Sequence, residues 1–400
     1  MVYKLLHELT RIGFTIFSMG IYAIKYRKFY REFNMHVSIR KGFKDHKPLV
    51  ATGSDQYMTI FRRLLDSYNK AKIEQKNIDE VYQPSYLWQH ILDCRFGDLI
   101  ASIHNNNTIK LQVLLENFHR EKFTLGSGGG SDDYYAIKEN PLYRYQFLNT
   151  WYKYFNIYKE IAGDHYRLTY PMLGNPAGLY YDGQVIPLEA IRYHYYATEI
   201  LSLLLNVKNP IICEIGGGLG GQAYKVMSNF ESDSTYILLD IPEMLIVSSY
   251  FLMAALPEKK FLLYGEDSFD SGKVDQYDII LMPNFILPQL GDMTVDLFFN
   301  SCSFSEMDRI TVEKYLREIE RICRRYFMHI NHTAKFEWCV DGKKYVNMPS
   351  TEIIPNQERY KKIYQHRRLF RRPEDEKFYS NTKSQHFVFL YERIHDFPII

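Results

Sequence analysis

The chain has 400 residues, 49 lysines and arginines against 47 acids, and a formal net charge of +2. That length predicts two domains rather than one, and the near-neutral balance gives no global attraction to nucleic acid. Hydrophobic residues at 46% are enough for ordinary cores, and the 34 tyrosines, against 3 tryptophans, suit half-buried positions and stacking on sugars alike.

Near the N-terminus, Ile12 to Ile24 is largely apolar and is flanked by Arg11, Lys25, Arg27 and Lys28. It is too short to span a bilayer as a helix, and no small-residue cleavage site follows. It reads as an amphipathic helix packed on the protein, with peripheral attachment to an anionic membrane surface as the sharper alternative. Tyr57 to Lys76 and Ser85 to Ile103 carry apolar residues at helical spacing, with Pro84 and Ser85 as a start signal. Asn105 to Asn107 forms a loop tip. Gly126 to Asp133 has the composition of a linker or a mobile loop. Tyr143 to Tyr158 is again helical. Gly174 to Gly183 is rich in turn formers and precedes a helix over Pro187 to Leu205, so the domain boundary is set at 185/186.

Beyond it the pattern alternates. Strands are expected at Ile211 to Ile215, Thr235 to Leu239, Lys260 to Tyr264, Tyr277 to Met282, Val295 to Asn300, Tyr326 to Asn331 and His386 to Tyr391. Helices are expected between them, ending near Phe230 and Ala255 and running from Asp308 to Arg325. Such alternation means a mostly parallel sheet covered on both faces, an α/β domain preceded by a mainly helical one. The cysteines Cys94, Cys213, Cys302, Cys323 and Cys339 show no metal-ligand spacing, which fits a reducing, cytoplasmic setting.

The densest information lies at Glu214-Ile-Gly-Gly-Gly-Leu-Gly-Gly. A strand running into glycines lets backbone N–H groups approach a nucleotide-like ligand at the carboxyl edge of the sheet. Two cofactors fit the spacing. Gly216, Gly218 and Gly221 satisfy the dinucleotide pattern, whereas Gly216, Gly218 and Gly220 satisfy the form associated with S-adenosyl-L-methionine (SAM). Asp240 ends the next strand, where an acid accepts ribose hydroxyls in either case. Glu214 separates them: a carboxylate there repels a pyrophosphate but suits the ammonium and sulfonium groups of SAM.

With these residues, and with Leu239-Asp-Ile-Pro-Glu, Asn300-Ser-Cys-Ser-Phe-Ser-Glu-Met, Arg192-Tyr-His-Tyr-Tyr-Ala and Gly174-Asn-Pro-Ala-Gly, residues 170 to 400 resemble the class I SAM-dependent methyltransferases. Among these they look like a bacterial family of sugar O-methyltransferases. The resemblance implies a Rossmann-like, mostly parallel seven-stranded sheet over residues 186–400. It also implies methyl transfer to a hydroxyl of a sugar, nucleotide-sugar or glycan, in surface-polysaccharide or secondary metabolism.

On this chain the resemblance puts Gly216, Gly217, Gly218 and Gly220 under the methionine and ribose, Glu214 near the ammonium, Asp240 on the ribose, and Ile241 against adenine. Asn300, at the end of the fourth strand, is a further cofactor-binding residue. Lys260 to Tyr264 is taken as the third strand, which places Glu266 or Asp267 at the adenine amino group. If Tyr277 to Met282 is the third strand instead, Pro283 and Asn284 take that place. A sugar hydroxyl needs a general base, and His332 is the first candidate, with Glu306, His329 and His194 behind it. Glu306 reads equally as a helix-capping acid. Glu306 and Asp308 are too few to hold a metal, so metal independence is expected. The basic run Tyr360 to Arg372 is a solvated face, or, for a phosphorylated acceptor, Arg367, Arg368, Arg371 and Arg372 take the phosphates. Arg192, Tyr193 and Tyr195 face either substrate or sheet. Residues 1–185 cover the acceptor site or form a homodimer contact. An NAD-dependent oxidoreductase on the same glycines, and a non-catalytic scaffold, are the alternatives.

Overall fold

The computed structural model describes residues 35–46, 54–124, 141–162, 168–229, 234–340, 343–369 and 385–394. The segments Ile12 to Ile24 and Gly126 to Asp133, and Arg371 and Arg372, lie outside them.

Helices at Met35–Gly42, Asp55–Gln75, Tyr86–Arg95, Gly97–His104, Thr108–Glu116 and Pro141–Ala162 come first. A hairpin of β1 (Leu179–Tyr181) and β2 (Gln184–Ile186) follows, and then the helix Leu188–Leu204. The expected helix over Ser85 to Ile103 is two helices. Ser85 Oγ caps the first by accepting the Trp88 N–H at 3.3 Å, and the break falls at Phe96 and Gly97.

The main sheet contains β3 (Ile211–Ile215), β4 (Thr235–Asp240), β5 (Phe261–Leu263), β6 (Ile279–Pro283), β7 (Val295–Ser301), β8 (Cys323–His332), β11 (Tyr360–Arg367) and β12 (His386–Arg393). Its order is β11-β12-β8-β7-β3-β4-β6-β5. The six strands from β3 to β8 are parallel, while β12 runs antiparallel to both β8 and β11. The sheet thus has eight strands where seven were expected. Both third-strand candidates are real, but Tyr277 to Met282 gives the strand beside β4, and Lys260 to Tyr264 gives only the outer edge. The reason is pairing: both strands are buried along their length, but β6 bonds to β4 on one side and β5 on the other, whereas β5 bonds to β6 alone.

The short hairpin of β9 (Glu337–Val340) and β10 (Lys343–Val346) was not foreseen, nor was β11 within the basic run. Lys361 and Lys362 lie exposed on β11, where charge protects a sheet edge from further pairing.

The helix Pro242–Ala255 explains how the N-terminal helices join the sheet. Its residues from Pro242 to Ala254 are all buried, so one face on the sheet cannot satisfy it. The Asp55–Gln75 helix covers its outer side, with Phe61 edge-on to Tyr250 at 5.9 Å and Lys72 paired with the buried Glu243 at 2.8 Å. Phe118 closes the layer against Phe251 at 5.8 Å. The helical residues and the sheet therefore share one apolar core. Among the described residues no helix is long and apolar enough to cross a membrane.

Candidate functional site

In the strand order the chain moves from β3 outward through β4 to the edge strand β5, steps back to β6 between them, and then crosses to the other side of β3 as β7. That reversal opens a crevice at the carboxyl ends of the strands, where open α/β sheets bind ligands. A cavity of about 680 Å³ lies there, within the range of small-molecule sites.

The glycine turn forms one end. Gly216 has φ +72°, and a Cβ on it would sit 2.4 Å from Ser303 Oγ. A Cβ on Gly217 would sit 2.6 Å from Leu238 Cγ. No other residue lets the loop pass so close to β4 and β7. Gly216, Gly217 and Gly218 line the cavity, whereas Gly220 stands behind them and starts the Gly221–Met227 helix in the left-handed conformation.

Glu214 and Asp240 line the same end. Tyr236 Oη donates to Glu214 Oε2 at 2.8 Å, and the carboxyl has no ion-pair partner among the described residues. Burial pushes it up to about 8. Asp240 Oδ2 accepts the Gly218 N–H and Oδ1 accepts the Ile241 N–H, both at 2.8 Å. Burial still raises this carboxyl to about 7, against those two hydrogen bonds. Burial thus holds both acids beside the loop toward their neutral forms. Ile241 and Asn284 complete this wall, and Asn284 Nδ2 donates to Tyr315 Oη at 2.9 Å.

Other candidates lie elsewhere. Glu266 accepts the Leu263 N–H at 2.9 Å and pairs with Arg63 Nη2 at 2.8 Å. Glu266 and Asp267 follow the edge strand and do not line the cavity. Asn300 is fully buried beneath it: Nδ2 donates to Ile215 O at 3.0 Å and Oδ1 accepts from Asn331 at 2.9 Å. It ties β7 to its neighbours rather than facing a ligand. His329 is stacked on Phe389 at 4.7 Å, hydrogen-bonded to Ile353 O at 3.1 Å, and held down to about 3 by burial. His194 pairs with Tyr158 and is also off the cavity.

His332 and Glu306 do line it. His332 ends β8 and packs edge-on against Phe336 at 5.3 Å and His386 at 5.7 Å. Glu306 Oε2 accepts the Trp88 Nε1–H at 2.9 Å, so the Tyr86–Arg95 helix forms part of the cavity's cover. The helix cap is Asp308, which accepts the Thr311 N–H at 3.0 Å and its hydroxyl at 2.8 Å. On the Leu188–Leu204 helix, Arg192, Tyr193 and Tyr196 line the cavity. Tyr195 instead donates to Glu199 at 3.2 Å. Helical spacing (i, i+1, i+4) puts the first three on one face, a signal that was available in the sequence.

Cys302, with φ +70°, and Arg368 and His386 complete the far wall. His386 was legible only as part of a strand. It reaches the site because β12 pairs His386 with His332.

No family model matches the sequence, and no curated protein does. Solved structures with a similar fold include a geranyl diphosphate C-methyltransferase from Streptomyces coelicolor A3(2). It is 11% identical over 52% of this chain and 81% of that one, with a TM-score of 0.35. A SAM dependent methyltransferase from Aquifex aeolicus is 15% identical over 50% of this chain and 89% of that one, with a TM-score of 0.29.

Proposed function

We propose that this protein is a SAM-dependent methyltransferase acting on a hydroxyl of a small acceptor, with a sugar, nucleotide-sugar or glycan as the narrower reading. One observation carries it: Glu214, 2% exposed and lining the cavity at the glycine loop, is an acid with no ion-pair partner among the described residues, the nearby Arg192 being paired with Glu189 instead. A pyrophosphate there would face a carboxylate; an ammonium would restore its charge. The residues present therefore fit SAM, with Glu214 toward the amino group, Asp240 toward the ribose, and Ile241 and Asn284 toward the base.

When bound, SAM supplies a methyl group already activated on a sulfonium. What remains for the protein is alignment and a proton acceptor. The glycine loop sets the cofactor at the ends of β3 and β4. The acceptor lies over the ends of β7 and β8, under Trp88 and Tyr86. His332 takes the hydroxyl proton there as the oxygen attacks, and the covering helix keeps water out.

Isothermal titration with SAM, S-adenosylhomocysteine and NAD⁺ tests the cofactor. Heat from the first two and none from the third is expected; heat from NAD⁺ alone overturns the proposal. His332→Ala tests the base: turnover should fall roughly 10²- to 10⁴-fold with SAM affinity held. Unchanged turnover would move the role to Glu306.

A further inference from the structure

The wall away from the glycine loop holds a cation that no acid of the described protein neutralises. Arg368 follows β11, is 4% exposed and lines the cavity. Its backbone N–H donates to His386 O at 2.9 Å, and Nη1 lies 3.6 Å from Cys302 Sγ. Nε is buried with no hydrogen-bond partner, and no ion pair joins Arg368 to a carboxylate, among the described residues. Tyr196, 1% exposed, lines the same cavity, and its hydroxyl is also buried without a partner among them. Both groups line the one cavity, and the Arg368 charge opposes the upward push of burial on the Tyr196 hydroxyl.

A buried guanidinium left alone costs several kcal/mol. A buried hydroxyl without a partner adds its own desolvation penalty. Both penalties disappear if a ligand brings oxygen acceptors to this place, and a guanidinium fork matches an oxyanion in particular.

The acids that line the cavity are accounted for elsewhere. Glu214 and Asp240 belong to the glycine loop, Glu306 holds Trp88, Asp308 caps a helix, and Glu80 is exposed at the rim. Strand order separates the two ends: β12 lies three strands from β3, or about 14 Å at ~4.8 Å per strand.

We propose that the acceptor carries an oxyanion, a carboxylate or a phosphate, which Arg368 and Tyr196 bind at the far end of the cavity beside His332 and His386. One molecule then offers its hydroxyl over β7 and β8 and its negative group to Arg368. The inference takes the carrier of the anion from the methyltransferase reading; the anion site itself stands on Arg368 and Tyr196.

The test titrates inorganic phosphate, acetate and glycerol into the full chain, with and without S-adenosylhomocysteine. Wild type, Arg368→Gln, Arg368→Lys and Tyr196→Phe are compared, with circular dichroism reporting the fold. Phosphate or acetate should bind and glycerol should not. Arg368→Gln should weaken the anion roughly tenfold or more, Arg368→Lys less, and Tyr196→Phe a few-fold, with S-adenosylhomocysteine affinity unchanged. The anion that binds tighter names the group on the acceptor. Absence of anion binding to wild type, or equal binding by folded Arg368→Gln, overturns the proposal. If Arg368→Gln fails to fold, equal anion binding by Arg368→Lys and Tyr196→Phe does the same. Arg368-dependent anion binding without any S-adenosylhomocysteine heat would leave the anion site standing and remove the methyltransferase reading.

Discussion

At the glycine-loop end of the cavity, Glu214 and Asp240 are buried acids held by Tyr236 and by backbone N–H groups. At the other end, Arg368 and Tyr196 are buried groups with polar atoms that have no hydrogen-bond partner among the described residues. The first end comes from two short stretches at the ends of neighbouring parallel strands. The second draws on a helix, on β8, on the residue after β11 and on the start of β12. The contrast teaches that one cavity can favour a cation at one place and an anion at another, because low dielectric makes each group depend on its nearest partner.

The sharpest way to break that comparison is Asp240→Asn. Loss of a charged hydrogen-bond acceptor should weaken SAM roughly 10- to 100-fold by calorimetry, while phosphate binding at Arg368 stays the same. Equal losses at both would mean that the two ends are one coupled site.

A smaller effect comes from pH. The raised carboxyls of Glu214 (about 8) and Asp240 (about 7) bind protons near neutrality in the ligand-free protein. SAM affinity should therefore rise from pH 6 to 8.5, by up to about tenfold per unit for one proton released, and the rise should flatten in Glu214→Gln. Stability of the free protein moves the opposite way. For an acid raised on folding, the contribution is full below its ordinary carboxylate range and is lost as pH climbs through 7 to 8. A thermal melt that held steady over that interval would contradict the burial of these groups.

The smallest effect is expected at Glu266→Gln. Its half-exposed pair with Arg63 lies at the sheet edge, so SAM affinity should stay within about twofold, with at most ~1 kcal/mol lost in a denaturation curve. A large loss of SAM affinity would restore Glu266 to the cofactor site.

Much of the sheet was legible because parallel strands buried on both faces read as continuous apolar runs. Ile211 to Ile215 matched its strand end for end. Lys260 to Tyr264 misled because a strand's neighbours are not written in its residues; only pairing makes it the edge. β11 was hidden because Lys361 and Lys362 give an edge strand the look of a solvated run. Asn300 and His329 looked functional by residue type, yet their hydrogen bonds to Ile215 and Ile353 are spent inside the protein.

The sequence by itself determined the α/β alternation, the glycine turn, and the acids at the ends of β3 and β4, since each depends on residues close along the chain. It also held an unread sign of the covering layer: Pro242 to Ala255 has no polar face to leave in water. Tertiary structure alone decided which apolar run stands beside β4 and which histidine faces the cavity. It also brought Tyr196, His332, Arg368 and His386 to one wall. Those outcomes rest on strand register and packing between distant segments, where burial and hydrogen-bond satisfaction are settled only when the whole core closes.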